Sequence, residues 1–238
     1  MPIVYGQADQ IPPGYGRVWL AGEPGSGKTL AASTFPQPFF LVMQNEDSMK
    51  ALRGQPIRFG TITPTNGDVR SSLLAFVEQL ITLGLRSEQE LHANVGHTLV
   101  IDAFTHLQDL IINEVADMVL NSGSKKGKMD ETKWGLLRSY WLNLRDQLWR
   151  LPMHLVVTSL VSAKEGKTLG QGTGAGLIAS SCDCLGYCDT EPNGSRIIHF
   201  NKYGIYPART RFGLQGMHPG PYSNMQLWSA ISPFLGYR

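Results

Sequence analysis

Eight consecutive residues carry the sharpest chemical signal in the chain. Gly22, Glu23, Pro24, Gly25, Ser26, Gly27, Lys28 and Thr29 read G-x-x-x-x-G-K-[ST]. Glycines at this spacing let backbone N–H groups wrap a phosphate, and a helix starting at the lysine adds its positive end. Lys28 is then expected on the β- and γ-phosphates of ATP and the Thr29 hydroxyl on Mg²⁺, with Leu30 closing the nucleotide-contacting run. A second GKT, Gly166-Lys167-Thr168, fails the pattern, because Val161 stands where the first glycine belongs. Gly170, Gly172, Gly174 and Gly176 follow it. Residues 163–176 therefore read as a loop too glycine-rich to hold a fixed fold unaided. Lys164 and Lys167 give that loop charge for DNA phosphates, and a surface loop without a ligand is the alternative.

Other residues complete a nucleotide site. An acid holding the metal belongs at the end of a neighbouring buried strand, and "TLVID" places Asp102 there; capping of the next helix is its other reading. Water must be oriented or deprotonated, and "LVMQNED" offers Glu46 and Asp47. Thr158 and Ser159 end another strand within reach of a γ-phosphate. Lys125, Lys126 and Lys128, followed by Lys133, form a small basic loop, read either as solvated lysines at a helix start or as contacts to single-stranded DNA. Trp141 falls on an apolar helical face and reads as core. Cys182, Cys184 and Cys188 lack the spacing of a zinc knuckle and lie in what reads as a buried strand.

These residues need elements to position them. "RVWLAG", "FFLVMQ", "HTLVID" and "HLVVTSL" are apolar runs rather than alternations, which implies parallel strands covered on both faces. "GKTLAASTF" starts a helix that Pro36 and Pro38 end. Asp68 is placed to N-cap a helix reaching about Leu85. Phe104, Leu107, Ile111, Val115 and Met118 recur at helical spacing, as do Leu137, Trp141, Leu144 and Leu148 in a helix over about 132–150. "CLGYCDTEPNGSRIIHF" reads as two strands joined by a turn at Pro192-Asn193-Gly194. The expected fold is one α/β domain over 1–238. It has an irregular lead-in at 1–16, a mostly parallel sheet with helices on both faces, and antiparallel C-terminal strands.

In combination these segments resemble a RecA-like P-loop NTPase core. More narrowly, they resemble the short phage-encoded RecA-like ATPases associated with single-strand annealing recombination. The resemblance rests on "GEPGSGKT", a glutamate after the next strand, "TLVID", the "KWGLLRSYWLNLRDQLWRLPMHLVVTS" unit and a late "RTR", and it covers most of residues 15–215. It implies that Glu46 activates the attacking water. It implies that Arg209 and Arg211 reach the γ-phosphate of a neighbouring subunit in a ring or filament. It also implies that the loops after the third and fourth core strands line a DNA path, with a single-strand-binding protein as a partner. Gln44 stands where many relatives carry an acid, and apolar Leu160 and Val161 follow Ser159.

Composition bounds the rest. With 42% hydrophobic and 17% charged residues over 238 positions, the chain can bury a core. A net charge of +2 leaves nucleic-acid binding to local patches. No apolar run is long enough to span a membrane, and "MPIVYGQADQ" does not read as a signal peptide, so a cytoplasmic location is expected, the bacterial host's if the chain is phage-encoded. A P-loop kinase and an assembly protein that barely hydrolyses ATP remain the competing functions.

Overall fold

The computed structural model describes residues 14–44, 47–63, 68–120, 125–161, 173–201, 208–210 and 222–234. The P-loop strand β1 (Arg17–Gly22) leads into α1 (Lys28–Ala32), followed by β2 (Pro38–Met43), a 3-10 turn at Ser48–Leu52 and β3 (Arg58–Ile62). Helices α2 (Val69–Arg86) and α3 (Glu88–Asn94) return the chain to β4 (Thr98–Asp102). Helices α4 (Phe104–Asp117) and α5 (Glu131–Trp149) then precede β5 (His154–Leu160). After α6 (Thr173–Ala179) come β6 (Cys184–Thr190), β7 (Arg196–His199), β8 (Arg209–Thr210), β9 (Tyr222–Ser223) and α7 (Leu227–Ile231).

The strands form one sheet in the order β3-β2-β4-β5-β1-β6-β7-β9, with β8 also paired to β6. All pairs from β3 to β6 are parallel, and β7, β8 and β9 add antiparallel. This is the expected α/β architecture. The apolar strand runs follow from burial on both faces. Trp19, Leu99, Ile101, Leu155 and Val157 meet α2, α4, α5 and α6 on one side. Val18, Leu20, Val100 and Val156 meet α1 and α7 on the other. The P-loop strand and the strand ending in Asp102 are not neighbours, because β5 lies between them.

Local signals explain the helix boundaries. The Asp68 and Asp130 side chains accept from Ser71 N and Lys133 N and cap α2 and α5. The buried Arg17 guanidinium donates to the carbonyls of Leu151 and Met153 at 2.9 and 2.5 Å, placing a cation just past the end of α5. Burial lowers its pKa to about 10.

Three expectations need correcting. Helix α1 ends at Ala32, short of Phe35, and turns before Pro36. The glycine-rich segment is not loop throughout, since α6 begins at Thr173. Tertiary contact overrides glycine's poor propensity there. Gly174 lies flat on the Trp141 indole, where a Cβ would overlap the ring, and Ile178 and Ala179 are buried. Lys133 is not part of the solvated basic loop. It is fully buried, and its Nζ donates to the carbonyls of Ala116, Lys125 and Lys128 at 2.5, 2.7 and 2.7 Å.

A buried histidine gives the fold a pH signature. His154 is fully buried, its Nδ1 accepts from Gly16 N at 2.9 Å, and burial pushes its pKa down to about 4 from an ordinary 6.5. Above pH 6.5 both folded and unfolded chains hold it neutral. Below that the unfolded chain takes up the proton first, so stability falls with pH until the folded His154 titrates near 4. The loss is about 1.4 kcal/mol per pH unit within that window. Urea unfolding at pH 7 and pH 5 should show this fall, and His154→Phe should remove about one proton's worth of it. Equal pH dependence in both chains refutes the assignment.

Candidate functional site

The site lies at the carboxyl edge of the parallel strands, where ligands meet an open α/β sheet. The loop from Glu23 to Gly27 joins β1 to α1, and Gly27 holds a left-handed conformation, φ 84° and ψ 22°. A side chain there is strained, which explains the glycine before the lysine. No side chain caps α1, so its first N–H groups are open to an anion.

Lys28 is buried and folded back on its own loop. Its Nζ donates to the carbonyls of Gly22 and Glu23 at 2.9 and 2.7 Å. Burial lowers its pKa, and Cys188, Asp102 and Glu23 partly offset this. An ammonium so poorly hydrated gains from an incoming phosphate.

The structure brings Thr29, Asp102 and Thr158 together. Asp102 is 2% exposed at the end of β4. Its Oδ2 accepts from Thr29 Oγ1 at 2.8 Å, and its Oδ1 accepts from Thr158 Oγ1 on β5. The capping reading of Asp102 gives way, since α4 starts at an Ala103 N-cap without a side-chain cap. Ser159, the other candidate on β5, instead accepts from Trp19 Nε1 at 2.9 Å. A carboxylate flanked by two hydroxyls is a set of hard oxygen donors, the kind that suits Mg²⁺.

Around these groups lies a cavity of about 280 Å³. Pro24, Gly25, Gly27, Lys28, Thr29 and Leu30 line it on one side, and Asp47, Asp102, Leu160 and Arg196 on the others. Asp47 pairs with Lys50 at 2.7 Å, both well exposed. Glu46, Lys164, Lys167 and Arg211 lie outside the described residues. Arg209 does not line the cavity; its Nη2 donates to the carbonyl of Ser180 at 2.7 Å.

The basic loop is described and exposed at Lys125, Lys126 and Lys128. Near the end of α4, the Glu114 carboxylate accepts from Val69 N and Arg70 Nε, at 2.9 and 2.5 Å, in the first turn of α2. The far end of α4 therefore packs on the start of α2.

Two residues of the site are not foreseen from sequence. Arg196 follows a hairpin turn and looks like any surface arginine. Asn224 lies far along the chain, yet it is 1% exposed and its Nδ2 donates to Ser26 O at 2.8 Å. Neither sits in a pattern that carries a signal.

A family model described as an AAA domain matches residues 15–212. No curated protein matches the chain. The match covers most of the chain, including the P-loop, Asp102 and the parallel core. The chain belongs to the AAA domain family, and with its RecA-like α/β core it is a nucleotide-binding ATPase.

Proposed function

We infer that the protein hydrolyses ATP with Mg²⁺ to act on single-stranded DNA as an oligomer, in recombination or strand annealing of the phage type. In this reading the loop amides and Lys28 hold the β- and γ-phosphates. Thr29 and Asp102 would hold Mg²⁺, and Thr158 orients Asp102. Bound there, Mg²⁺ would supply neutralisation of the charge that develops on the transferred phosphoryl group. Glu46 activates water, and Arg209 and Arg211 serve a neighbouring chain.

The observation that carries the DNA role is the exposed basic loop just before α5. Buried Lys133 ties the backbone at Lys125 and Lys128 to the end of α4, leaving Lys125, Lys126 and Lys128 exposed together. A loop held in place loses less entropy when it engages a phosphate chain. Lys164 and Lys167, in the glycine-rich stretch that follows β5 in sequence, are the further candidates for contact with DNA phosphates.

The test is ATP turnover and DNA affinity with and without single-stranded DNA across a salt series. The parent chain should be stimulated by DNA. Changing Lys125, Lys126 and Lys128 together to Ala should flatten the salt slope by up to about 2, at ~0.7 per lost single-strand phosphate contact. Turnover indifferent to DNA with no DNA affinity refutes the DNA role, and phosphoryl transfer to a small acceptor instead of water favours a kinase.

A further inference from the structure

The segment from Tyr222 to Phe234 lies beyond residue 212, where the family match ends, yet it covers the P-loop face of the sheet. Leu227 and Ile231 are fully buried against Ala31, Ala32 and Phe35, in the same cluster as β1 and β5. The segment holds α1 at both ends. Beyond its C-terminal end, Trp228 N donates to Thr34 Oγ1 at 3.2 Å, and the Trp228 ring lies 5.1 Å from Phe35. At the N-terminal end, Asn224 Nδ2 donates to Ser26 O at 2.8 Å. A Cβ built at Gly27 would overlap the Asn224 amide and press on Arg196 Cδ at 2.7 Å.

We propose that Asn224 is a positioning residue of the nucleotide site, fixing the Ser26–Gly27 turn so that the loop amides face the phosphates. This rests on the nucleotide reading given above. The Ser26 peptide is the last unit before the left-handed Gly27, so its orientation sets where the following N–H groups point. By holding the Ser26 carbonyl, Asn224 fixes that peptide plane from outside the loop. The Asn224 amide stands where a side chain at position 27 would go, so only glycine fits the turn against it. Helix α1 has five residues and no side-chain cap, so it cannot fix its own first turn. Asn224 is not placed for its own comfort. Its Oδ1 is buried without a hydrogen-bond partner among the described residues, an arrangement that costs stability. The C-terminal segment is thus a working part of the ATP site, supplied from outside the shared domain.

The test separates positioning from packing. Affinity for a fluorescent ADP analogue is measured well below the melting temperature for the parent and for Asn224→Ala, Asn224→Asp and Ile231→Ala. Asn224→Ala should weaken binding about two- to tenfold, the worth of one neutral hydrogen bond. Asn224→Asp, which is isosteric but turns the donor into an anion beside a carbonyl and the phosphates, should weaken it about tenfold or more. Ile231→Ala loosens the same segment without touching Ser26. It should lower the melting temperature yet keep parental affinity. Parental affinity in Asn224→Asp, or affinity that follows melting temperature across all three variants, overturns the proposal. A parent chain that binds no ADP overturns the nucleotide reading along with it.

Discussion

Arg211→Ala is expected to lower ATP turnover by about 10³–10⁵-fold while leaving ATP binding intact, the effect of losing an arginine supplied across an interface. The position of β8 sets Arg209 back from the phosphate site of its own chain. Arg209 pairs with Leu185, which lies beside Trp19, whereas the P-loop end of β1, Gly22, lies beside Cys188. Three residues of strand set Arg209 back from the phosphates by about 10 Å at ~3.3 Å per residue. Its guanidinium is also turned to Ser180 O. On the function proposed above, the γ-phosphate that the Arg209-x-Arg211 pair serves belongs to another copy, and the active form is an oligomer. Mixing an Arg211→Ala chain with a Lys28→Ala chain should restore part of the lost turnover, because some interfaces then join an intact loop to an intact arginine. A chain whose specific activity is full and constant at every dilution, down to the monomer, overturns the idea.

What the sequence makes legible follows from how local each signal is. The phosphate loop is a contiguous pattern dictated by backbone geometry, so Gly22 to Thr29 and the short strand–helix unit around it can be read directly. Asp102 is legible because a buried apolar run ending in an acid has few other uses. Thr158 is half legible: its place at a strand end shows, but its bond to Asp102 depends on β5 lying between β4 and β1, which is a matter of topology. Lys133 misleads because a lysine among lysines reads as solvent-facing. Only the fold shows three backbone carbonyls converging on it. Helix α6 misleads for the converse reason, since its glycines argue against a helix until Trp141 offers Gly174 a flat surface. Asn224 is silent because its partner, Ser26, lies so far away in sequence and a single amide carries no periodicity.

The identity of the general base gives the second large effect. Glu46→Gln should bind ATP like the parent but hydrolyse it about 10²–10⁴-fold more slowly, the usual contribution of a general base. Strand β2 pairs with β4 so that Val42 lies beside Asp102. Residues that follow β2 therefore leave the sheet at the edge where Asp102 stands. Two acids follow, Glu46 and Asp47, and they compete for the role. Asp47 lines the cavity, but its carboxylate pairs with Lys50 at 2.7 Å. That pairing holds the carboxylate toward Lys50 rather than toward an attacking water. Asp47→Asn should accordingly leave turnover near the parental rate. Single-turnover hydrolysis with prebound ATP reads the chemical step alone and keeps binding out of the comparison. Slow hydrolysis in Asp47→Asn with parental rates in Glu46→Gln would transfer the role to Asp47, and parental rates in both would mean that neither acid activates the water.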